Sequence, residues 1–215
     1  MNVLFAQEKI KLQLQWKHQF EFAGFYAAKE MGFYEEAGLD VEFVEFHSKN
    51  IVEEVLNGNA DYGLTYATLI AQYMQDKPLV FLANFFKQSP LVLVTQKDIK
   101  TPKDLKNKKV MGLLDSTHKH IFLEMLDKFN LTPKDFTNIP RRFSIESFIN
   151  KEVDALSVFS TNEVFTLDQK GVQYNILDPA VYGIKYYDIN LFTTQQELKN
   201  NPQRLKKFRE ASIKG

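Results

Sequence analysis

The chain has 215 residues, 44% of them hydrophobic, with 27 basic and 27 acidic side chains. That is enough apolar material for one large core or two small ones, and the balanced charge offers no basic surplus to attract nucleic acid or an anionic membrane. The absence of cysteine removes thiol catalysis, zinc–cysteine sites, iron–sulfur clusters and disulfides together, and leaves the compartment open. No segment is long and apolar enough to span a bilayer. At the start, Val3-Leu4-Phe5-Ala6 reads either as the tail of a signal-peptide apolar region cleaved after Ala6 or as an ordinary terminus.

Residues 11–16 alternate apolar and polar, the pattern of a strand with one face on a core. Segment 22–31 carries Phe22, Tyr26, Ala27 and Glu30 at helical spacing and ends at Gly32. A turn at Gly38 leads into a second strand over 39–44. Asn50 is placed to cap a helix through Val52, Val55 and Leu56, closed by Gly58. Residues 61–65 read as a short strand and 69–74 as a helix. Strands follow over 79–84 and 91–95, split by Lys87-Gln88-Ser89-Pro90.

The pattern then restarts. Thr101-Pro102-Lys103-Asp104-Leu105 forms one capped turn, with Thr101 as cap and Pro102 in the first position. A strand over 109–114, a helix over 117–129, a short helix from Thr132, a helix over 144–150, a strand over 154–159 and a helix over 163–170 ended by Gly171 come next. Strands over 174–177 and 190–193 precede a last helix from Pro202, with Leu205, Phe208 and Ser212 on one face. Strands and helices alternate throughout, so the class is α/β with mainly parallel sheets. The restart predicts two lobes, 9–95 plus 191–215 and 96–190, with the chain crossing at the strands 91–95 and 190–193 and the final helix returning to the first lobe.

The run Leu14-Gln15-Trp16-Lys17-His18-Gln19-Phe20-Glu21-Phe22-Ala23-Gly24-Phe25-Tyr26-Ala27-Ala28, continued by Gly32-Phe33-Tyr34 and Gly38-Leu39-Asp40-Val41, resembles the opening of the solute-binding family of thiamine-pyrimidine-precursor, nitrate, sulfonate and taurine binding proteins. Leu56-Asn57-Gly58-Asn59-Ala60-Asp61-Tyr62-Gly63, Thr101 to Val110, Val153-Asp154-Ala155 and Asn190-Leu191-Phe192-Thr193-Thr194 continue the likeness over nearly the whole chain. Segment 16–28, with Thr161-Asn162-Glu163 and 187–193, is most similar to the version that forms the extracytoplasmic sensor part of bacterial histidine kinases and diguanylate cyclases. The resemblance implies the two-lobed periplasmic-binding-protein type II fold, with a ligand cleft between hinged lobes that close on the ligand.

Within that frame, Trp16 stands at a strand end in the segment where the family lines its cleft, suited to stacking on a flat ring or to an aromatic core. Phe22 and Tyr26 follow it. Tyr66 succeeds the 61–65 strand, and Gln88 and Ser89 precede a crossing strand, offering hydrogen bonds or plain turn chemistry. Asp115 opens a helix after a strand, as a polar site residue or a cap. Thr161, Asn162 and Glu163 lie between a strand and a helix. Glu163 can accept from a ligand amine or ring N–H, or act as a favourable acid in the first helical turn. Asp188 and Asn190 at the second crossing complete a polar wall. The four histidines form no convincing metal set, and His118 and His120, two apart, read as solvated surface.

The expectation is a ligand-binding sensor domain outside the inner membrane, joined through a following membrane span to a signalling output domain, without cofactor, metal or catalytic residue. The alternative is a free or lipid-tethered binding protein of an ABC importer, delivering a thiamine-precursor-like pyrimidine or another small nitrogenous or sulfonate solute to its permease. A pyrimidine-forming synthase, the eukaryotic branch of the family with its pyridoxal-holding lysine, is disfavoured: that branch carries a cysteine-rich motif absent here, and Lys17 and His18 stand in the wrong local context.

Overall fold

The computed structural model describes residues 7–47, 49–114, 118–142 and 144–215. The strands are β1 (Glu8–Gln13), β2 (Leu39–Val44), β3 (Tyr62–Thr65), β4 (Leu79–Phe86), β5 (Leu91–Thr95), β6 (Lys109–Met111), β7 (Thr137–Ile139), β8 (Ala155–Phe159), β9 (Asn175–Leu177) and β10 (Asp188–Thr194). The α-helices are α1 (Ala23–Glu30), α2 (Phe33–Glu36), α3 (Ile51–Leu56), α4 (Leu69–Tyr73), α5 (Lys119–Asp127), α6 (Glu146–Ile149), α7 (Glu163–Gln169), α8 (Gln195–Asn200) and α9 (Pro202–Lys214). Strands and helices alternate over much of the chain, but β4 is followed directly by β5, and α1 and α2, like α8 and α9, are consecutive; the sheets are mixed and not mainly parallel, because β10 and β5 each run antiparallel to both of their neighbours. The proposed N-terminal leader tail and Asp115 lie outside the described residues.

The chain divides into two compact units, one running to Lys87 and resuming at Tyr187, the other Gln88–Tyr186. The crossings therefore fall before β5 and before β10, not at the far ends of those strands. The reason is pairing: β5 lies between β8 and β9 in the second sheet, and β10 lies between β3 and β4 in the first.

The first unit is built on the sheet β2-β1-β3-β10-β4. One face packs α1, α2 and α9 through Ile10, Leu12, Phe25, Tyr34, Tyr62 and Phe208. Tyr34 stacks on Phe208 at 5.6 Å and its hydroxyl lies 3.0 Å from Ser212 Oγ. The final helix thus returns to the first unit on the face formed by Leu205, Phe208 and Ser212. Glu197 fastens this corner: it accepts from Tyr62 Oη at 2.8 Å, Asn201 Nδ2 at 2.8 Å and Arg204 Nε at 2.8 Å. Burial raises the Glu197 pKa, but the bonds from Arg204, Asn201 and Tyr62 outweigh it and leave the carboxyl below its ordinary value. The other face packs α3, whose cap is the expected Asn50, accepting from Val52 N at 3.0 Å and Glu53 N at 3.3 Å.

The second unit is built on the sheet β7-β6-β8-β5-β9. Its strand β5, between β8 and β9, is buried on both sides, and its side chains alternate between two cores: Leu91 and Leu93 join Val110, Phe122 and Met125, while Val92 and Val94 join Leu156, Val158 and Phe148. A strand covered on both faces reads as a continuous apolar run for this reason. Thr101 starts its turn as expected, its N–H and hydroxyl both donating to Asp104 Oδ2 at 2.8 and 3.0 Å. The helix expected from Thr132 is instead a turn in which Asp135 accepts from Thr132 N at 2.8 Å.

Gly63 in β3 has no room for a side chain: a Cβ there would lie 2.5 Å from the Phe192 ring and 3.0 Å from Val55 Cγ2. Gly63→Ala should therefore force β3 from β10 or displace Phe192. We expect a loss of about 1–3 kcal/mol in urea unfolding; unchanged stability would show that the ring moves freely.

Candidate functional site

In the first unit β1, β2 and β3 are mutually parallel, and β10 runs antiparallel to both β3 and β4. The carboxyl ends of β1–β4 and the amino end of β10 thus meet at one edge, the position from which α/β sheets furnish ligand sites. That edge carries Trp16, Tyr66, Asp188 and Asn190 of the expected residues. Trp16 is half-buried and stacks on Phe46 at 5.6 Å and 14°. Tyr66 Oη donates to the Gln15 carbonyl at 3.4 Å. Asn84 bridges the β10 start, its Nδ2 donating to Asp188 O at 2.7 Å and Asn190 Oδ1 at 3.0 Å. Asp188 is buried, and its Oδ1 accepts from Ile189 N at 2.9 Å. Ile189, β-branched, is held at φ 51°, a conformation costing about 1–3 kcal/mol that only a surrounding ladder can maintain.

One expectation is revised here. Phe22, at 0% exposure, belongs to the core with Phe25 and Leu14 and presents no surface to a solute. Tyr26 is half-buried with its hydroxyl 2.7 Å from His18 Nδ1 and its ring edge-on to Phe43. Burial, then Glu21 and Glu45, raise its pKa. An open groove over β1 and β2, lined by Lys9, Lys11, Lys29, Asp40 and Glu42, mixes charges of both signs. Its Lys29 Nζ is already engaged by Val41 O at 2.6 Å, so it presents no converging set of groups.

Sequence reasoning missed Gln15. Alternation with Leu12 and Leu14 makes Gln13 and Gln15 look like the solvent face of a half-exposed strand, but β1 lies between β2 and β3 and both glutamines are buried. Gln13 Nε2 reaches the carbonyls of Leu14, Val44 and Glu45 at 3.0, 3.1 and 3.2 Å. Gln15, 1% exposed, has neither Nε2 nor Oε1 hydrogen-bonded. Such a group costs roughly 1–3 kcal/mol when left bare.

The second unit has the same organisation: β6, β7, β8 and β9 run one way and β5 the other. Its edge gathers Ser89, Thr161, Asn162 and Glu163. Ser89 is engaged in turn chemistry, with Oγ accepting from Leu91 N at 3.3 Å and N donating to Tyr186 O at 2.7 Å. Gln88 is exposed. Asn162 is half-buried and precedes α7 without a side-chain cap bond. Thr161 Oγ1 is buried without a hydrogen-bond partner.

Glu163 is engaged within its own unit. Its Oε2 accepts from Phe159 N at 3.0 Å and its Oε1 pairs with Arg141 Nη2 at 3.2 Å, while Arg141 Nη1 donates to Ser157 O. The carboxylate holds a guanidinium at the strand ends, so it does more than a simple helix-start acid. Arg141 follows the short strand β7, which the sequence pattern concealed, and packs over Gly112. There φ is 75° and an added Cβ would meet Arg141 Cδ at 3.0 Å.

His118 is likewise no surface residue: it is buried, edge-on to the Phe159 ring at 5.6 Å. Burial first, then His120, push its pKa from 6.5 down to about 3. His120 is half-buried against Tyr186 at 4.9 Å. No group of three or more His, Cys, Asp or Glu suited to a metal occurs among the described residues.

Residues 19–215 match the family model described as NMT1/THI5 like. The chain belongs to the NMT1/THI5-like family. A Haemophilus influenzae (strain ATCC 51907 / DSM 11121 / KW20 / Rd) protein, whose name assigns it provisionally to thiamine biosynthesis, is 26% identical over 193 residues, 86% of this chain and 60% of that protein. The NMT1/THI5-like chain thus spans about three fifths of that curated relative's length. The periplasmic aliphatic sulphonate binding protein SsuA of Escherichia coli superposes with a TM-score of 0.71 at 19% identity, over 96% of this chain and 73% of that one. SsuA of Methylobacillus flagellatus KT, provisionally assigned to a sulfonate ABC transporter as its periplasmic sulfonate-binding protein, gives 0.72 at 20% identity, over 97% and 68%. At these identities the structures establish the mixed α/β periplasmic-binding-protein fold with two sheets.

Two measurements test the second-unit edge of this NMT1/THI5-like chain. Glu163→Gln removes the charge that pairs Arg141, so the ligand-free protein should lose roughly 1.5–3 kcal/mol in urea unfolding; a loss of only a few tenths would return Glu163 to the role of helix-start acid. His118 sets a pH dependence. Below its ordinary value of 6.5 the unfolded chain binds a proton that the folded chain refuses until about 3, so stability falls as pH drops through that window. His118→Leu should flatten the difference in unfolding free energy between about pH 7 and about pH 5; an identical slope in variant and wild type removes His118 as its source.

Proposed function

We propose that this chain is an extracytoplasmic solute-binding protein that serves an ABC importer and binds a small nitrogenous or sulfonate solute through strand-end residues. The observation that carries this is the NMT1/THI5-like match over residues 19–215. The periplasmic sulfonate-binding proteins that share the fold support it. The Haemophilus influenzae relative named for thiamine biosynthesis supports a solute of the thiamine-precursor pyrimidine kind. The role is binding and release, with a permease as partner, and no chemical step is assigned to Trp16, Tyr66, Glu163 or Arg141. No described helix is long and apolar enough to cross a membrane.

A second reading, the sensor part of a membrane-bound signalling protein, rests on the wording of segment 16–28 and takes second place, because the named structural relatives are binding proteins. A permease and ATPase encoded beside the gene favour the importer; a membrane span and output domain in the same gene product favour the sensor.

Trp16 is the only tryptophan and lies at the first-unit edge, so its emission reports on solute directly. Native mass spectrometry of freshly purified protein is expected to reveal a bound small molecule. Returning that molecule to stripped protein is expected to quench or shift the Trp16 emission. An unchanged spectrum at saturation takes Trp16 out of the site, and failure to bind any pyrimidine, amine or sulfonate overturns the solute-binding reading.

A further inference from the structure

Charge is balanced over the whole chain but not over every surface of it. Between the end of β5 and the start of β6 a lysine stands at every third position: Lys97, Lys100, Lys103, Lys106 and Lys109. Ile99, Pro102 and Leu105 keep the same period and are buried, whereas all five lysines are exposed. A three-residue period through a segment built on the 3₁₀ turn Pro102–Leu105 sends one row of side chains into the core and the other into solvent. Lys134 joins this row, because its turn is tied to the same segment: Asn107 N donates to Asp135 O at 2.6 Å and Thr137 N to Lys108 O at 2.8 Å. The nearby acids are turned inward. Asp98 pairs with Lys108 at 2.7 Å. Asp104 accepts from Lys100 N at 3.0 Å, and Asp135 and Asp154 accept from Thr132 N and Lys109 N, both at 2.8 Å. Seven lysines thus face four aspartates, and among the described residues no ion pair holds Lys97, Lys100, Lys103, Lys106, Lys109 or Lys134. The row lies where β5 finishes and β6, β7 and β8 begin, at the opposite end of the second sheet from Ser89, Thr161 and Glu163.

We propose that this lysine row is a docking surface for anionic phospholipid headgroups, holding the second unit against a membrane surface without entering it. The chemistry of the row selects the partner. Lysine is a compact, strongly hydrated charge on a flexible stem, so it responds to charge density and not to the planar geometry that arginine reads. None of the large exposed apolar side chains lies in 97–109 or 132–137, so nothing is offered to acyl chains and there is no apolar centre for a protein interface. Residues 97–109 contain no aromatic side chain on which the bases of a nucleic acid could stack. An anionic leaflet presents the diffuse negative field that such a row fits, and each lysine brought close to it strengthens partitioning by roughly five-fold. The proposal does not depend on which solute the strand-end residues bind.

The test uses the whole chain, vesicles of phosphatidylglycerol mixed with phosphatidylcholine, vesicles of phosphatidylcholine alone, and cosedimentation as the readout. The wild type is expected to bind the anionic vesicles at low salt, to leave them as salt screens the contact, and to ignore the neutral ones. Lys100→Gln, Lys103→Gln and Lys106→Gln combined should weaken that binding at least about ten-fold. The same loss of charge at Lys199, Lys206 and Lys207, exposed on α8 and α9 of the first unit, should leave most of it. Should the first variant fold poorly, the pair Lys109→Gln and Lys134→Gln repeats the measurement within the same row. The proposal is overturned if the wild type does not bind anionic vesicles at low salt, binds neutral ones equally, or loses no affinity with the row neutralised. Equal loss in the α8–α9 variant would assign the effect to net charge, and tighter binding of duplex DNA would assign the row to nucleic acid; either overturns it too. Solute binding is read separately: the row variant should take up co-purified solute as the wild type does, and a failure to bind vesicles leaves the solute-binding reading intact.

Discussion

A strand that leaves its hydrogen-bond ladder presents its last peptide groups and its next side chains to whatever lies beyond the sheet. In both units four of the five strands leave at the same edge. Both candidate edges depend on that shared direction. It places Gln15, Trp16 and Tyr66 together in one unit and Arg141, Thr161 and Glu163 together in the other, although each group is spread across its unit's sequence. The one antiparallel strand of each sheet, β10 or β5, enters at the same edge and adds Asp188 and Asn190, or Ser89.

The two edges are polar in different ways. At the first-unit edge Asn84 and Asn190 pair amide to amide, Gln15 stays bare, and the Asp188 carboxylate is turned onto Ile189 N. The second unit carries a full ion pair, but Glu163 and Arg141 cancel one another, and each has a backbone partner besides. A partly buried pair supported in this way holds its geometry because removing either member would strand the other charge away from water. Arg141 is thereby fixed in direction by Glu163 and the Ser157 carbonyl.

Much of the fold was legible in the sequence, because burial and period coincide. Leu91 to Thr95 reads as a strand since both of its faces are covered, Asn50 and Thr101 start their elements with the bonds their chemistry predicts, and Leu205, Phe208 and Ser212 face the core from α9. The site was less legible. A polar residue alternating with leucine means solvent in an edge strand and enclosure in an interior one, and only sheet order, which is not a local property, separates the two cases for Gln13. His118 is buried against Phe159, from a strand far away in sequence. Arg141 follows a three-residue strand too short to show a period. The lobe boundary shifted for a related reason: a strand's own pattern does not say which sheet it will join, and β5 and β10 each pair on both sides within the unit that follows the crossing.

Fold membership cannot choose among solutes, since one scaffold carries many sites, so selectivity has to come from groups that the scaffold itself does not satisfy. The packed corner at the opposite end of β3 shows the difference. Tyr62, Asn201 and Arg204 all converge on Glu197, and a network completed within the chain rigidifies without selecting anything. That rigidity still matters, because β3 carries Tyr66 four residues beyond Tyr62 and Tyr66 holds the Gln15 carbonyl. The Tyr66 bond and the stacked Trp16 thus fix the backbone at the end of β1 without completing the Gln15 amide.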